Sequence, residues 1–353
     1  MANSSSACQD YIMNGSLACN DTDLGETSKS VSWVMGYSDS YKIAIVVIGA
    51  IGIIDNLFVG FVIARVPALQ TRTNIFVVNQ AAVDFFSSVL IISIHRIPGK
   101  TYYSQSSVFD QFVCRFWASR YLMWSSLLAS TYSLVVLTFE RYLAIVYPLK
   151  YVANFTLRRA KALIMVSWVL AFAWQTYAIL RTRVIDGQCK KIRISTEISH
   201  FIGICSFSIQ YFIPLAAMAF AYTHIAIVLC PPKMLRPASA APTTVSVSTA
   251  SSQRTEGLDE RTKSLHRARR NVYKTLCLVF LAFAICWTPN QLYFLLINFG
   301  VFSSINQRVH EATVALAYLN SCINPIIYAL KYKQFRAGII RAFSRTNAVS
   351  SIT

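Results

Sequence analysis

Seven long apolar segments constrain the fold more than any other feature of this sequence. A helix that crosses a bilayer needs about 20 mostly apolar residues, and each segment reaches that length. Only 14% of the residues are charged, whereas soluble domains carry about 25%. We therefore predict an all-α membrane protein, a seven-transmembrane helix bundle, with spans near residues 43–64, 75–97, 112–146, 160–180, 199–229, 272–299 and 309–330.

The polar N-terminal segment predicts the orientation of the spans. It is net acidic and carries three glycosylation sequons, which begin at Asn3, Asn14 and Asn20. Glycosylation at these sites requires an extracellular N-terminus, and no apolar stretch before residue 40 predicts a cleavable signal peptide. Seven spans then place the C-terminus inside, in agreement with the basic short inner loops. The expected location is the plasma membrane.

The loops divide the chain into three predicted parts. An extracellular glycosylated segment covers residues 1–40, the membrane domain covers 41–330, and an interfacial helix with a cytoplasmic tail covers 331–353. Residues 230–270 are predicted as a flexible third inner loop, because residues 231–257 are rich in Pro, Ser, Thr and Ala. The basic residues 261–274 are expected to extend the sixth span into the cytosol as a helix. After Tyr328, apolar residues recur on one helical face, which predicts an amphipathic helix against membrane lipid.

Polar residues lie deep inside several apolar segments. Asp84 lies in the middle of the second span, where a carboxylate needs a polar partner or a cation. Two interpretations stay open, a hydrogen-bonded contact between helices without an ion and a cation site. Candidate partners at comparable depth are Asn56, Ser126, Ser130, Asn320, Ser321 and Asn324.

Charges and prolines mark further positions in the spans. Glu140 and Arg141 follow a long apolar stretch, where charged side chains can reach headgroups or a protein partner. Taken alone, this pair is equally compatible with an interfacial stop signal. Pro289 in the sixth span and Pro325 in the seventh each remove a helix hydrogen bond and predict a bend.

Together these residues resemble the rhodopsin-like (class A) G-protein-coupled receptors, and the peptide receptors among them, across residues 41–343. The matching residues are Asn56, Asp84, Glu140-Arg141-Tyr142, Trp168, Pro214 with Tyr222, Phe283, Cys286-Trp287-Thr288-Pro289 and Asn324-Pro325-Ile326-Ile327-Tyr328. The resemblance implies a receptor, not an enzyme, that binds an extracellular ligand and activates heterotrimeric G proteins. Arrestin and receptor kinases are further expected partners.

The resemblance also implies roles for single residues. Arg141 would pair with Glu140 at rest and turn toward Tyr222 and the G protein on activation, and Leu149 would insert into the Gα subunit. A sodium site would comprise Asp84, Ser130, Asn320, Ser321 and Asn324. The activation switch would comprise Glu140, Arg141, Tyr142, Tyr222, Phe283, Trp287, Pro289, Asn324, Pro325 and Tyr328. The ligand would meet Arg120, Tyr121, Met123, Trp287, Gln291 and Tyr318.

The cysteines match the family pattern with one departure. Cys114 and Cys189 correspond to the pair that ties the third span to the second outer loop, and Cys8–Cys19 is a further candidate pair. Cys114 lies 27 residues before Arg141, a longer spacing than family members usually show. The excess implies an insertion at the helix top or a bridge half a turn away. Tyr121 and Met123 are therefore rival candidates for the central ligand-facing position.

The base of the sixth span departs from the family as well. Arg269 and Arg270 lie where many members place an acid that holds the arginine of the third span. The inter-helix lock is therefore expected to be absent, which predicts raised basal signalling.

Charge limits the choice of ligand. No acidic residue lies between Arg115 and Phe139, which removes the anchor of amine receptors, and residues 312–330 contain no lysine for a retinal Schiff base. The outer half is basic, with Arg96, Lys100, Arg115, Arg120, Arg181, Arg183, Lys190, Lys191, Arg193 and Arg308. A basic cleft attracts anions, so we expect a neuropeptide-like ligand with acidic character and Arg120 as its partner. Alternatives are pairing of these cations with the acidic N-terminal segment, and a small carboxylate or lipid acid as ligand.

Other classes of protein fit less well. The net charge of +18 does not indicate nucleic-acid binding, because the basic residues lie in loops between apolar segments. An ion transporter or channel would use Asp55 and Asp84 as its path, but the sequence shows no internal repeat. No metal-ligand cluster or nucleophile motif indicates an enzyme, and no cofactor is expected apart from a sodium ion near Asp84.

Overall fold

The computed structural model describes residues 38–97, 102–192, 194–229, 249–301, 306–331 and 333–350. Its helices are α1 Asp39–Arg65, α2 Asn74–Arg96, α3 Val108–Phe112, α4 Tyr121–Val146, α5 Pro148–Asn154, α6 Leu157–Arg181, α7 Thr196–Phe207, α8 Ile213–Leu229, α9 Thr249–Asn298, α10 Gln307–Lys331 and α11 Lys333–Ser350. A hairpin of β1 Thr182–Ile185 and β2 Gln188–Lys191 joins α6 to α7. The sequons at Asn3, Asn14 and Asn20 and the candidate pair Cys8–Cys19 lie outside the described residues.

Seven helical segments within the described ranges are long and apolar enough to cross a membrane, which confirms the predicted bundle. They are Asp39–Arg65, Asn74–Arg96, Val108–Val146, Leu157–Arg181, Thr196–Leu229, Arg269–Asn298 and Gln307–Lys331. The third combines α3 and α4, the fifth combines α7 and α8, and the sixth is part of α9. Their outward faces carry exposed side chains such as Ile54, Met165 and Phe220, as hydrocarbon surroundings allow.

Helix α4 forms the centre of the bundle, where it packs against α2, α6 and α8. Met123, Phe283 and Tyr318 fill the interior and are fully buried. Helix α1 packs against α2 and α10. Close approach of α1 to α2 requires a glycine, because a Cβ at Gly52 would overlap the side chain of Ser88.

The third span is interrupted near its first turns. A wide π-helical turn covers Val113–Ala118, and Arg120 then adopts a left-handed conformation with φ of 60° before α4 begins at Tyr121. This break absorbs additional residues between Cys114 and Arg141, so it supports an insertion as the cause of the long spacing. Because the chain restarts its helix at Tyr121, the break also sets which face of α4 points inward.

Two helices, α9 and α11, include residues outside the membrane spans. Helix α9 begins at Thr249, inside the segment predicted as a flexible loop, because the residues after Thr255 include many good helix formers. Residues 230–248 of that predicted loop lie outside the described residues. Helix α11 follows the last span as predicted, with Phe335 buried and the Phe343 ring 6.4 Å from Phe58.

Candidate functional site

Asp84 joins three helices through hydrogen bonds deep inside the bundle. Its side chain is fully buried on α2. One carboxylate oxygen accepts from the Ser130 hydroxyl on α4 at 2.6 Å. The other accepts from Gln80 Nε2 at 2.9 Å and from Asn324 Nδ2 on α10 at 3.0 Å. The structure thus brings two predicted sodium-site residues, Ser130 and Asn324, into direct contact with Asp84.

Other predicted members of this cluster surround the carboxylate less directly. Asn320 contributes its carbonyl to Asn324 Nδ2 at 3.5 Å, and the Ser321 carbonyl accepts from Asn56 Nδ2 at 2.9 Å. The Ser321 hydroxyl is buried and has no hydrogen-bond partner among the described residues. Oxygen ligands of this kind suit a hard cation such as Na⁺, so the residues present fit the ion.

Gln80 is a member of the cluster that the sequence analysis missed. It donates both to Asp84 and, at 2.7 Å, to the Ser130 hydroxyl. Its position four residues before Asp84 on one helix was the available signal, because side chains at that spacing share a face. Asp55 contributes differently, since one oxygen accepts from the neighbouring Asn56 at 3.0 Å.

Glu140 forms the second polar cluster, at the end of the bundle that we call the Glu140 end. One of its oxygens lies 3.3 Å from Arg141 Nε in an ion pair. The other accepts from the Thr73 hydroxyl at 2.9 Å and from the Tyr151 hydroxyl at 2.6 Å. Burial and the nearby Glu140 raise the pKa of Tyr151 to about 12, so its hydroxyl keeps the proton that it donates. Thr73 and Tyr151 had no sequence signal, because only the fold brings them to Glu140.

The remaining predicted switch residues lie on separate helices. The Tyr222 hydroxyl shares a 2.7 Å hydrogen bond with Thr138 on α4. That of Tyr142 is 2.9 Å from His224 Nδ1 on α8. The ring centroids of Phe283 and Trp287 are 6.3 Å apart, and the two residues lie six and two positions before Pro289 on α9. Pro325 lies inside α10, where Tyr328 is buried, whereas Leu149 on α5 is 87% exposed.

A narrow cavity lies toward the opposite end, which carries the hairpin and which we call the disulfide end. Its volume is about 40 Å³, and four carboxamide side chains contribute to its walls: Gln175, Gln210, Asn290 and Gln291. Aromatic residues, one isoleucine and one histidine complete the lining, with Trp124, Tyr177, Tyr293, Phe294, Ile297 and His310. Of the six residues predicted to meet a ligand, Gln291 lines this cavity.

Neither rival candidate for the central position of α4 lines the cavity. The Tyr121 hydroxyl donates to the Phe172 carbonyl on α6 at 3.2 Å. Met123 is fully buried, and its sulfur accepts a hydrogen bond from the Tyr318 hydroxyl at 3.3 Å. Trp124 lines the cavity instead. The left-handed Arg120 interrupts the helix between Cys114 and Tyr121, so the residues of α4 cannot be placed by counting from Cys114 along a regular helix. Trp287 and Tyr318 are buried without lining the cavity.

Three basic residues lie close together at the disulfide end, and two of them, Arg120 and Lys191, act electrostatically on His310 of the cavity wall. The ammonium group of Lys191 on β2 is buried, although its stem is partly exposed. Burial lowers its pKa well below the usual range, and the positive charges of Arg181 and Arg120 lower it further. Grouping like charges in this way raises the electrostatic potential and favours an anion.

The hairpin that carries Lys191 is tethered at and next to its turn. Asp186 and Gly187 both have positive φ, as a two-residue turn requires, and Tyr103 donates its backbone N–H to the Gly187 carbonyl at 2.8 Å. Cys189 forms a disulfide with Cys114, which confirms the predicted bridge. The Asp-Gly pair between apolar residues was a hairpin signal that the sequence analysis did not use.

Comparison with known proteins identifies the family. The family model described as 7 transmembrane receptor (rhodopsin family) matches residues 55–328. Galanin receptor 2a of Danio rerio is 27% identical over 87% of this chain and 80% of its own length. Substance-P receptor of Homo sapiens is 29% identical over 95% of this chain and 77% of its own length. Neuromedin-K receptor of Homo sapiens is 29% identical over 86% of this chain and 61% of its own length.

The matched region contains both polar clusters and spans two to six in full, together with the second part of α1 from Asp55 and α10 as far as Tyr328. Membership of a receptor family confirms that the chain is a multi-pass membrane receptor rather than an enzyme. With its seven spans, its Asp84 cluster and its Glu140–Arg141 pair, this chain belongs to the rhodopsin family of seven-transmembrane receptors.

Proposed function

We propose that this receptor binds an extracellular peptide with acidic character and activates heterotrimeric G proteins. The observation that carries the ligand class is the grouping of Arg120, Arg181 and Lys191 at the disulfide end. Relatives named for galanin, substance P and neuromedin K support a peptide. The carboxamide-rich lining supports it further, because each carboxamide both donates to and accepts from a peptide backbone. A small carboxylate or lipid acid, the alternative ligand, would leave many of these groups without partners.

The signalling half of the proposal rests on the Glu140 end. Arg141 pairs with Glu140, Tyr222 is held by Thr138, and the exposed Leu149 is available to a Gα subunit. In this proposal the N-terminus lies outside the cell and the Glu140 end lies in the cytosol. Release of these contacts on activation would free Arg141 to bind the G protein. Arrestin and receptor kinases would then meet the same end. The Asp84 cluster would hold Na⁺ in the resting state.

The test is activation of each Gα family in cells that express the receptor, screened against a peptide library. An acidic peptide should activate at least one Gα family, and Arg141→Ala should remove that response at equal surface expression. Ion conductance without any nucleotide exchange on Gα would instead support a channel.

Arg120 is expected to anchor the acidic group of the agonist. Because Arg120 has φ of 60°, Arg120→Gly removes the cation without straining the backbone. Loss of a charge pair at this site should lower agonist potency about 30-fold, as measured by concentration–response curves. Arg308→Ala removes an exposed cation at the same end and should leave potency nearly unchanged. An acidic agonist that is equally potent on Arg120→Gly would show that Arg120 is not its anchor.

Basal signalling is expected to exceed that of relatives with an inter-helix lock. The cations Arg269 and Arg270 at the base of the sixth span are exposed and cannot pair with Arg141. Arg269→Glu or Arg270→Glu should lower agonist-free nucleotide exchange about fivefold, equivalent to about 1 kcal/mol for a new ion pair. Lys274→Glu makes the same charge change one turn further along the helix and serves as control. A wild-type receptor that is silent without agonist would contradict the expectation.

A further inference from the structure

A second cavity lies on the outer wall of the bundle, at the Glu140 end. It occupies about 470 Å³ between the end of α4, helix α5 and the start of α6. Apolar atoms form nearly all of its surface, and they include the side chains of Leu143, Phe155, Leu163 and Val166. Leu143, Leu163 and Val166 are exposed on the outside of two membrane spans, so the groove opens sideways toward hydrocarbon.

Two cations stand at the rim of this groove. Lys150 and Arg159 are both exposed and both belong to its lining. The Lys150 ammonium lies 5.6 Å from the centre of the Tyr147 ring, and Arg159 donates to the Asn154 carbonyl beside the groove. No carboxylate lines the groove within the described part of the chain. An apolar groove with a cationic rim at the end of the spans matches an acyl chain below a negative headgroup.

We propose that this groove binds an anionic phospholipid of the adjoining leaflet. An acyl chain lies against Leu143, Phe155 and Val166, and the phosphate is held by Lys150 and Arg159. A soluble anion fits poorly, because the apolar groove opens toward lipid. A zwitterionic phospholipid offers the same chains, but its own cation opposes the two rim charges.

A lipid in the groove would affect the hydrogen bonds of Glu140 through a single residue, Tyr151. Tyr151 lines the groove, stacks on Phe155 with ring centroids 4.9 Å apart, and donates to Glu140 at 2.6 Å. A lipid packed against this pair keeps the Tyr151 hydroxyl on Glu140 and thereby favours the ion pair of Glu140 with Arg141. This regulatory consequence rests on the proposed signalling function, whereas lipid binding itself does not.

The binding test uses the full-length receptor in phosphatidylcholine nanodiscs with a trace of photoreactive lipid. A phosphatidylserine probe should label peptides of α5 and α6, and Lys150→Ala with Arg159→Ala should lower that labelling at least about tenfold. Arg158→Ala with Lys161→Ala removes two exposed cations of the same helix region outside the groove and should leave labelling unchanged. Ala162→Trp fills the groove without changing charge and should also lower labelling, with thermal unfolding of each variant as the check on folding.

Three outcomes would overturn the proposal. Equal labelling by a phosphatidylcholine probe would show that the rim charges do not select an anionic headgroup. An equal loss of phosphatidylserine labelling in both double variants would show that the lipid is attracted to any basic surface and not to this groove. Equal labelling by a photoreactive fatty acid would assign the groove to a free carboxylate instead. Tyr151→Phe should keep the labelling and abolish any effect of phosphatidylserine on basal nucleotide exchange, which separates binding from regulation.

Discussion

Asp84→Ala is expected to lower the free energy of unfolding by about 3–5 kcal/mol and to abolish agonist-driven signalling. The carboxylate is fully buried and accepts hydrogen bonds from Ser130, Gln80 and Asn324. Alanine removes the shared acceptor in a site that water reaches poorly. The Ser130 hydroxyl then has no acceptor, and Gln80 and Asn324 keep only the Ser130 hydroxyl and the Asn320 carbonyl. Thermal unfolding of the purified receptor and Gα nucleotide exchange measure the two effects.

Ser88→Ala is the matched control for this substitution. Ser88 is also buried on α2, but its hydroxyl donates to the backbone carbonyl of Asp84, a local bond within one helix at 2.8 Å. Its loss should cost about 1 kcal/mol or less. Equal unfolding temperatures for the two variants would mean that the Asp84 contacts contribute little to holding the helices together.

Asp84→Asn separates the hydrogen bonds from the charge. One amide oxygen can still accept from Gln80 and Asn324, so the bundle should stay folded. If Na⁺ binds beside the carboxylate, sodium chloride should raise the unfolding temperature of the wild type relative to choline chloride, and Asp84→Asn should remove that difference. An identical wild-type response to both salts would support the other interpretation, a contact between helices without an ion.

The double variant Cys114→Ser with Cys189→Ser should destabilise the receptor by about 4 kcal/mol and strongly weaken agonist binding. The bridge closes a loop between cysteines 75 residues apart, and loops of this size give losses of that order. The hairpin also carries Lys191, so the loss of its tether should disperse the three basic residues that lie close together at the disulfide end.

Unfolding temperatures measured with and without reductant test whether the loss of the disulfide causes this destabilisation. Reductant should lower the unfolding temperature of the wild type toward that of the double variant and leave the variant unchanged. Cys205→Ser replaces a free, half-buried cysteine and should behave like the wild type. A wild type that keeps its stability in reductant while its thiols become reactive would contradict a stabilising bridge.

Depth along each span was enough to predict most of the polar interior. Asp84, Ser130 and Asn324 were grouped because each lies near the middle of an apolar segment, and the structure brings them within 3.0 Å. Lone polar residues in hydrocarbon must pair with one another, so few arrangements are available. Gln80 was not predicted because it shares a helix with Asp84, whereas all the candidate partners were polar residues on other spans.

The ligand-facing surface could not be predicted in the same way. The left-handed conformation of Arg120 separates the π-helical turn at Val113–Ala118 from α4 and changes the rotation between them. No local rule of sequence predicts an arginine in that conformation. Trp124 therefore faces the cavity where Tyr121 or Met123 was expected. The convergence of Arg120, Arg181 and Lys191 likewise depends on a hairpin folded back over the bundle.

The sequence by itself determined the seven spans and the depth of each polar residue, because the bilayer fixes helix length and penalises every unpaired polar group. The family and the disulfide were predicted from the resemblance of the motifs to a known receptor family, and both predictions are confirmed. Tertiary structure alone decided which side chains meet Glu140, which face of α4 lines the cavity and where the apolar groove with its cationic rim lies. These features depend on how the helices rotate and pack against one another. The break at Arg120 changes the rotation at the start of α4, and the hydropathy of the sequence does not predict it.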